Sequence, residues 1–391
     1  MSEFPRIDRL PPYVFAEVNS MKAEARSRGE DIIDLGMGNP DMPPAPHIIE
    51  KMREVALDPD AHGYSASKGI NGLRKAQAGY YQRRFGVELD PNKEICVSIG
   101  SKEGLANLAQ AITSGGDTIL VPNPSYPIHP YGFIIAGGSV RHIPKTDDMP
   151  FLERLKLAIR HTSPTPKALV LNYPCNPTAE TVSLDFYEEA VDICRHYGIY
   201  ILSDLAYCEI YFDGNPPPSI LQVKGAKDIA VEFTTMSKTY SMAGWRVGFC
   251  VGNPKLVYAL TRIKSYVDYG CFTPIQVASA YALNGDQKCV DDIRKLYKDR
   301  RDVLIEGLNK AGWQVESPKA SMFAWAKIPE KFRHLGSLEF SKLLMEKAEV
   351  AVAPGIGFGK NGDEYVRIAL IENKQRTRQA CRNIKKFLQT A

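Results

Sequence analysis

The stretch "TTMSKTYSMAGWRVGF", residues 234–249, places one lysine and one arginine eight residues apart among hydroxyl and glycine residues. It follows the apolar run "IAVEF" at 229–233, and its last four residues begin the run "RVGFCVG" at 246–252. Runs of this length, bounded by polar residues, are typical of buried β-strands. We therefore predict two strands joined by a polar segment that carries Lys238 and Arg246. Taken alone, that segment is equally compatible with a surface loop that exposes two cations.

Four more apolar runs have the same character and are also predicted to be buried strands. They are "EICVSIG" (94–100), "TILVP" (118–122), "ALVLNYP" (168–174) and "IYILSD" (199–204). Between the runs lie helical patterns, of which "LDFYEEAVDICRHYGI" (184–199) is the clearest, because its apolar residues share one face and Gly198 can end it. Alternating strands and helices predict an α/β fold, in which helices cover a mainly parallel sheet.

The character of the sequence changes after residue 285. The stretch "VDDIRKLYKDRRDVLIEGLNKAGW" is predicted to form one long amphipathic helix, and the shorter strand-like runs "SMFAWAKI" and "YVRIAL" follow it. We therefore predict a large domain at 49–285, and a smaller α+β domain at 286–391 to which an N-terminal arm at 1–48 belongs.

Composition excludes several classes of protein. The 391 residues are 44% hydrophobic and 24% charged, which is typical of a soluble globular protein. The net charge of +4 comes from 49 basic and 45 acidic residues spread along the chain, so no nucleic-acid partner is expected. The charged start and the lack of a run of about 18 apolar residues predict no membrane span and a cytoplasmic location. Eight cysteines without a C-x-x-C pair and seven histidines without ligand spacing predict neither disulfides nor a metal site.

Two short motifs match known signatures by letter but lack the required context. "GFGKNG" (357–362) has the glycine spacing of a dinucleotide-binding loop, yet a strand-like run follows where the phosphate-binding helix should begin. "SASK" (65–68) resembles a motif of penicillin-binding enzymes, but the chain has no K-T-G triplet. We interpret the first as a glycine-rich turn and the second as a chance match.

Polar residues follow the predicted strands, where the carboxyl ends of a parallel sheet place functional groups. Ser101 and Lys102 begin a helix-like stretch, and the first backbone amides of a helix suit a phosphate. Asp204 ends another run, and a carboxylate at a buried strand end needs a positive partner. Lys238 and Arg246 can supply it in a purely structural ion pair. They can also form a phosphate site with an amine beside it, which is what pyridoxal phosphate chemistry requires.

Five motifs in order resemble those of the class I and II aminotransferases, which are fold-type-I enzymes that use pyridoxal phosphate. They are "NPSYP", "NYPCNPT", "SDLAY", "SKTYSMAGWRVGF" and "YVRIAL", and the similarity extends over nearly the whole chain. The stretches "RIDRLPPYVF" and "GSKEGLANL" further resemble the bacterial alanine-forming glutamate-pyruvate aminotransferases. The resemblance implies a large domain with a mainly parallel seven-stranded sheet between helices.

By this resemblance, Lys238 is the covalent anchor of pyridoxal phosphate and the proton carrier, and Asp204 pairs with the pyridine nitrogen. Tyr207 and Asn176 hydrogen-bond the phenolic oxygen of the cofactor, and Tyr126 stacks on its ring. The phosphate ligands that it implies are Ser101, Lys102, Thr235, Ser237 and Arg246, together with Tyr64 of the neighbouring subunit. The catalytic residues are therefore Lys238, Asp204 and Tyr207, and a homodimer with shared active sites is expected.

The resemblance also identifies residues that would bind the substrate. Arg367, in "YVRIAL", would bind the substrate α-carboxylate, because its planar fork matches two carboxylate oxygens. Asn176 and the backbone amide of Gly38 would assist it. The substrates implied are small-molecule amino acids and 2-oxo acids, with alanine and 2-oxoglutarate as the expected pair.

The choice of amino acid is the least determined part of the prediction. Aspartate-type relatives use an arginine of the partner subunit, which would fall between Lys264 and Arg294, and this chain has none there. Selection is instead expected near Tyr13 and Lys264. Aspartate, LL-diaminopimelate and broad-specificity aminotransferases remain alternatives, as do elimination, condensation and decarboxylation on the same fold. A regulator built on this domain needs an additional DNA-binding domain, and the motifs begin too near the start to leave room for one.

Overall fold

A computed structural model of the chain describes residues 4–146 and 148–390. The strands are β1 (Ile33–Asp34), β2 (Ile95–Ser98), β3 (Thr118–Asn123), β4 (Ser139–Pro144), β5 (Ala168–Asn172), β6 (Tyr200–Asp204), β7 (Ala230–Thr235), β8 (Gly248–Gly252), β9 (Phe323–Lys327), β10 (Val350–Ala351), β11 (Ala353–Pro354) and β12 (Tyr365–Ala369). The helices are α1 (Pro5–Asp8), α2 (Val14–Ser27), α3 (Pro46–Ala56), α4 (Asn71–Phe85), α5 (Ser101–Ile112), α6 (Ile128–Ile135), α7 (Phe151–Arg160), α8 (Leu184–Tyr197), α9 (Met236–Thr239), α10 (Pro254–Val267), α11 (Thr273–Asn284), α12 (Lys288–Lys310), α13 (Gly336–Ala348) and α14 (Lys374–Thr390).

The main sheet has seven strands in the order β2-β8-β7-β6-β5-β3-β4. All of its pairings are parallel except those of β8, which is antiparallel to both neighbours. The α/β fold with a mainly parallel seven-stranded sheet is therefore confirmed. Each of the six apolar runs matches one of these strands to within two residues at either end, and Gly198 ends the helix at 184–197 as predicted.

Sequence patterns alone do not reveal the seventh strand, β4. Its sequence "SVRHIP" carries Arg141 and His142, and Ile143 is its only fully buried side chain. The strand lies at the edge of the sheet, so only one side needs to pair with another strand and its faces need not both be apolar. A search for continuous apolar runs therefore overlooks it.

The reversed direction of β8 determines where the polar stretch of 234–249 lies. Thr235, at the end of β7, pairs with Gly248, at the start of β8. Because β8 is antiparallel, its first residue lies at the same edge as the carboxyl ends of β5, β6 and β7. Residues 236–247 connect the two strands across this edge, so Lys238 and Arg246 lie on the side of the sheet where Asp204 ends β6.

The rest of the chain forms a second core. Strands β11, β12 and β9 make an antiparallel sheet, and β1 pairs with β10, so Ile33 lies beside Val350. A separate buried apolar cluster joins Ile33 to Phe340 of α13 and Ile384 of α14. This arrangement is compatible with the predicted division of the chain, which stays a prediction. None of the helices within 4–146 and 148–390 combines the length and the apolar character that crossing a membrane requires.

Candidate active site

The carboxylate of Asp204 is held from two sides at the carboxyl edge of the sheet. Its Oδ2 atom lies 2.9 Å from Nε2 of His129, and its Oδ1 atom accepts a hydrogen bond of 3.2 Å from the amide of Ala206. Asn172 donates to its backbone carbonyl at 2.8 Å. The side chain that meets the carboxylate within the described residues is thus His129 rather than Lys238 or Arg246.

His129 is the functional candidate that sequence reasoning missed. It lies in the stretch "VPNPSYPIHPYG", three residues after Tyr126, and its side chain is 1% exposed. The two rings meet edge to face with centroids 5.8 Å apart. The sequence shows that His129 lies close to Tyr126 along the chain, but helix periodicity does not relate the two residues, because Tyr126 precedes α6. The sequence does not show that the His129 side chain meets the end of β6.

Lys238 lies on the short helix α9, which Thr235 caps by accepting a hydrogen bond of 3.1 Å from the amide of Ser237. Its Nζ atom donates to the carbonyl of Gly38 at 2.8 Å. Burial, together with the charges of Arg367 and Arg246, lowers the pKa of the Lys238 amine to about 8. A considerable fraction of this amine is therefore unprotonated near neutral pH, which a nucleophilic or basic lysine requires.

The start of α5 has the features of an anion site. Gly100 precedes this helix with φ of 86°, and no side chain caps it. The first amides of a helix have no partner within it and carry partial positive charge, so Ser101 and Lys102 suit an anion. A Cβ atom on Gly100 would lie 2.1 Å from Nη2 of Arg246, so the guanidinium lies directly against this helix start. Arg246 itself has φ of 58°, a left-handed conformation that is uncommon for a residue with a side chain.

Two hydroxyl groups line the same site. Thr235 and Ser237 are both buried, and their side-chain oxygens lie 3.0 Å apart. The Thr235 hydroxyl also lies 3.1 Å from the carbonyl of Val247, to which it can donate. Thr235 therefore has a structural task in capping α9, and its contact with a phosphate stays a prediction.

Arg367 of β12 is the second arginine whose charge acts on Lys238. Its Nη1 atom donates to Oδ1 of Asn176 at 2.7 Å, and its Nη2 atom donates to the carbonyl of Gly36 at 3.0 Å. Its buried Nε atom has no hydrogen-bond acceptor, and no ion pair of Arg367 with a carboxylate occurs among the described residues. Burial lowers the pKa of the guanidinium to about 10. A buried cation with free donors is suited to an anionic ligand.

Asn176 connects Arg367 to a buried tyrosine. The Nδ2 atom of Asn176 lies 3.5 Å from the hydroxyl of Tyr207, which is a long hydrogen bond. Burial raises the pKa of Tyr207, so its hydroxyl stays protonated and can donate. Gly38 allows the chain to pass closely here, because a Cβ atom on it would lie 2.7 Å from the ring of Phe323.

Three of the predicted residues are exposed rather than enclosed. Tyr13 is 63% exposed and its ring contacts that of Phe15 at 5.3 Å. Tyr64 is 89% exposed and stacks on Tyr269, with ring centroids 4.5 Å apart. Lys102 is also exposed, and its amine lies 5.8 Å from the centroid of the Tyr126 ring.

The expectation that Lys264 helps to select the substrate has to be corrected. Its side chain is fully buried, and its amine lies 2.8 Å from a carboxylate oxygen of Asp268 and 3.2 Å from one of Glu103. A buried ammonium held between two carboxylates is already neutralised, so it is not free to receive a substrate carboxylate.

Comparison with known proteins agrees with this geometry. The sequence pattern of aminotransferase class I and II matches residues 30–384. A putative aminotransferase of Rhizobium meliloti, AatC, is 61% identical over all of this chain and 96% of its own length. The glutamate-pyruvate aminotransferase AlaC of Escherichia coli is 58% identical over 98% of this chain and 93% of its own. Substrate-bound BacF of Bacillus subtilis superimposes with a TM-score of 0.93 at 34% identity, covering 99% of this chain and 98% of the other.

Proposed function

Because this chain belongs to the class I and II aminotransferases, we propose that it moves an amino group between glutamate and pyruvate with pyridoxal 5'-phosphate as cofactor. Amino acids and 2-oxo acids are the substrates of this family, and the enzyme is an aminotransferase. The choice of glutamate and pyruvate rests on the similarity to AlaC over nearly the whole chain. The observation that carries the chemistry is the buried amine of Lys238, lying among Arg246, Arg367 and the start of α5.

The residues at the sheet edge fit the cofactor. The uncapped start of α5 with Arg246 suits a phosphate, and the Asp204 carboxylate suits a protonated ring nitrogen. In this proposal Tyr126, which packs on His129, covers the ring, and Tyr207 and Asn176, which lie within hydrogen-bonding distance of each other, meet its hydroxyl group. Pyridoxal phosphate, when bound to Lys238, supplies an electron-withdrawing ring that stabilises negative charge at the substrate α-carbon.

The protein supplies orientation and proton transfer. Arg367 holds the α-carboxylate in the plane of its guanidinium, with Asn176 fixing one end of that group. Once the substrate amine replaces it on the cofactor, the Nζ atom of Lys238, whose pKa burial lowers, would take the proton from the substrate α-carbon and deliver it to the former aldehyde carbon of the cofactor. The Tyr207 hydroxyl stays protonated and acts as a hydrogen-bond donor throughout. The amino group would pass from the amino acid to the cofactor, and water would supply the oxygen of the released 2-oxo acid. A second 2-oxo acid would then take the amino group in the reverse sequence, so no external oxidant is needed.

A homodimer with shared active sites is part of the proposal. Large exposed side chains cluster where residues 62–64 pack against 266–272: Tyr64, Tyr266, Val267, Tyr269 and Phe272. An exposed apolar patch rimmed by polar residues marks a protein interface. Tyr64 stands at this surface, where it is available to a second subunit.

A spectroscopic half-reaction tests the proposed function. Alanine or glutamate added to the holoenzyme is expected to convert the cofactor from its aldehyde to its amine form, with release of an equal amount of 2-oxo acid. Amino donors, including aspartate and LL-diaminopimelate, are then compared with pyruvate and 2-oxoglutarate as acceptors. Failure of alanine to react rules out the glutamate-pyruvate pair, and 2-oxo acid release without conversion of the cofactor indicates a lyase.

A further inference from the structure

Two phenyl rings lie against the guanidinium of Arg367. Its Cζ atom is 4.0 Å from the ring centroid of Phe323 and 4.7 Å from that of Phe358. Distances of this size fall within the range of cation–π contacts. The rings come from different elements, since Phe323 begins β9 and Phe358 ends a turn of 3-10 helix at 355–358. Phe358 lies within "GFGKNG", the glycine-rich stretch to which the sequence assigns no chemical role.

The pairing of β9 with β12 determines where the Phe323 ring lies. Trp325 of β9 pairs directly with Arg367 of β12, and Phe323 is two residues before Trp325. Residues two apart on a strand point to the same face, so the Phe323 ring and the Arg367 side chain share a face of this sheet. Phe323 is 1% exposed, and its ring also meets that of Tyr207 edge to face, with centroids 5.6 Å apart. The ring is therefore firmly packed.

Packing also fixes the second ring. Phe358 is 4% exposed and lies edge to face with Phe15 at 5.2 Å and with Trp325 at 6.0 Å. The backbone carbonyl of Phe358 accepts a hydrogen bond of 2.8 Å from the amide of Ser125. Phe358 therefore contacts helix α2, strand β9 and the segment just before Tyr126.

The guanidinium needs such support because it lacks a charged partner. Its two hydrogen bonds go to the amide oxygen of Asn176 and to a backbone carbonyl, which are neutral acceptors. The charged group of Lys238 and the phenols of Tyr126, Tyr207 and Tyr13 lie near it, but no carboxylate of the described residues pairs with it. The negative faces of phenyl rings stabilise a cation without competing for its N–H donors.

We propose that Phe323 and Phe358 are positioning residues, which hold the flat faces of the Arg367 guanidinium so that its N–H edge remains directed at the substrate α-carboxylate. This inference rests on the proposed role of Arg367 in binding that carboxylate. Both rings lie against the guanidinium without accepting its N–H hydrogen bonds, so its N–H edge stays available to a ligand. A planar anion that accepts two parallel hydrogen bonds, as a carboxylate does, is the group that fits such an edge.

The test compares Phe358→Leu holoenzyme with the unsubstituted enzyme. Leucine keeps an apolar side chain but removes the ring face, so KM for alanine, glutamate and pyruvate is expected to rise about tenfold, whereas kcat changes by less than about threefold. Half-reactions with a simple alkylamine, which has no carboxylate, are expected to be unchanged. Calorimetric titration of the aldehyde-form enzyme with pyruvate, which cannot react with it, is expected to show the same loss of affinity.

Phe332→Leu is the matched control, because Phe332 is 6% exposed and packs on other rings without contacting Arg367. If Phe332→Leu raises KM as much, or if Phe358→Leu affects the alkylamine equally, the positioning role is overturned. Phe323→Leu gives an independent test if Phe358→Leu does not fold. Arg367→Lys tests the carboxylate site separately from the role of the rings. If this variant leaves KM unchanged, Arg367 does not bind the substrate carboxylate. If it raises KM while the phenylalanine variants do not, only the positioning role of the rings is overturned.

Discussion

The Nε2 atom of His129 lies 2.9 Å from Oδ2 of Asp204, and both side chains are buried. The amide of Ala206 donates to the other carboxylate oxygen, so the carboxylate has one fixed orientation at the end of β6. Because His129 also packs on Tyr126, one cluster positions both the carboxylate and the ring that would cover the cofactor. This contact joins residues 75 positions apart in the chain.

Removing the histidine contact is expected to slow the reaction without removing the cofactor. In His129→Leu, the Asp204 carboxylate loses a hydrogen-bond partner, and a hydrogen bond to a carboxylate is worth roughly 1.5–3 kcal/mol, so kcat is expected to fall about 10- to 100-fold. His129→Asn keeps a donor and should lose less. His142→Leu, on the distant edge strand β4, serves as the control. Equal kcat values for His129→Leu and the unsubstituted enzyme would show that the contact has no catalytic importance.

Neutralising the carboxylate itself is expected to have a larger effect. Asp204→Asn keeps the size and an acceptor oxygen but removes the charge opposite the ring nitrogen. The rate of the alanine half-reaction is expected to fall about 10²- to 10³-fold, the usual effect of losing one preorganised electrostatic contact. Cofactor content, measured by absorbance after gel filtration, should stay near one per chain. A variant that keeps its rate, or one that loses its cofactor, contradicts the assigned role.

The amine of Lys238 is expected to become reactive at a lower pH than surface lysines. Burial and the charges of Arg367 and Arg246 lower its pKa to about 8, whereas the contact with Asp292 raises the pKa of Lys288. In cofactor-free protein, reductive methylation followed by mass spectrometry should therefore label Lys238 with a midpoint near pH 8, and Lys288 only at higher pH. A common midpoint for both residues would contradict the prediction.

A second buried group, outside the proposed site, should make stability depend on pH. Burial raises the pKa of Glu232 from 4.5 to about 7, although Ser219, Tyr81 and Ser203 donate hydrogen bonds to it. Between these values the unfolded chain is ionised while the folded protein still holds the proton, so this group's contribution to stability is present below about pH 5 and is lost as pH rises through 7. Calorimetry of Glu232→Gln should show a smaller decrease in Tm between pH 5 and pH 8 than the unsubstituted protein shows. An identical decrease in both proteins would count against this prediction.

Shared active sites can be tested by mixing two inactive variants. Tyr64→Ala is expected to weaken cofactor binding in the partner's site, and Lys238→Ala removes the anchor. A hybrid dimer has one site in which both residues are intact, so mixed and refolded subunits should recover about a quarter of the unsubstituted activity at limiting cofactor. Each variant refolded alone is the control. Absence of recovery, with a dimer seen by sedimentation, would show that Tyr64 does not act across the interface.

Several features of the site were predictable because their signals are local. Lys238, Asp204 and Asn176 each follow an apolar run, and the carboxyl ends of those strands meet at one edge of the sheet. The strands themselves were recognised because they are buried on both faces and are therefore apolar throughout. β4 was overlooked because an edge strand is not subject to that requirement.

Other features depend on contacts that no local pattern encodes. The apolar run of β8 does not indicate whether the strand is parallel or antiparallel to β7. Its antiparallel direction brings Arg246 to the edge of the sheet where Lys238 lies. Lys264 resembled a free cation until its buried pairing with Glu103, 161 positions away, became visible. The contacts of phenylalanine rings with Arg367 could not be predicted either, since the sequence of the stretch that contains Phe358 indicates only a turn.

The sequence by itself determined the fold class and the family and predicted Lys238 as the anchoring lysine, because strand burial, helix periodicity and motif order are properties of short segments. Only the tertiary structure decided which groups surround each charge: His129 beside Asp204, two rings beside Arg367, and two carboxylates around Lys264. The physical reason is that the state of a buried ionisable group is set by desolvation and by its nearest partners, and those partners come from distant parts of the chain.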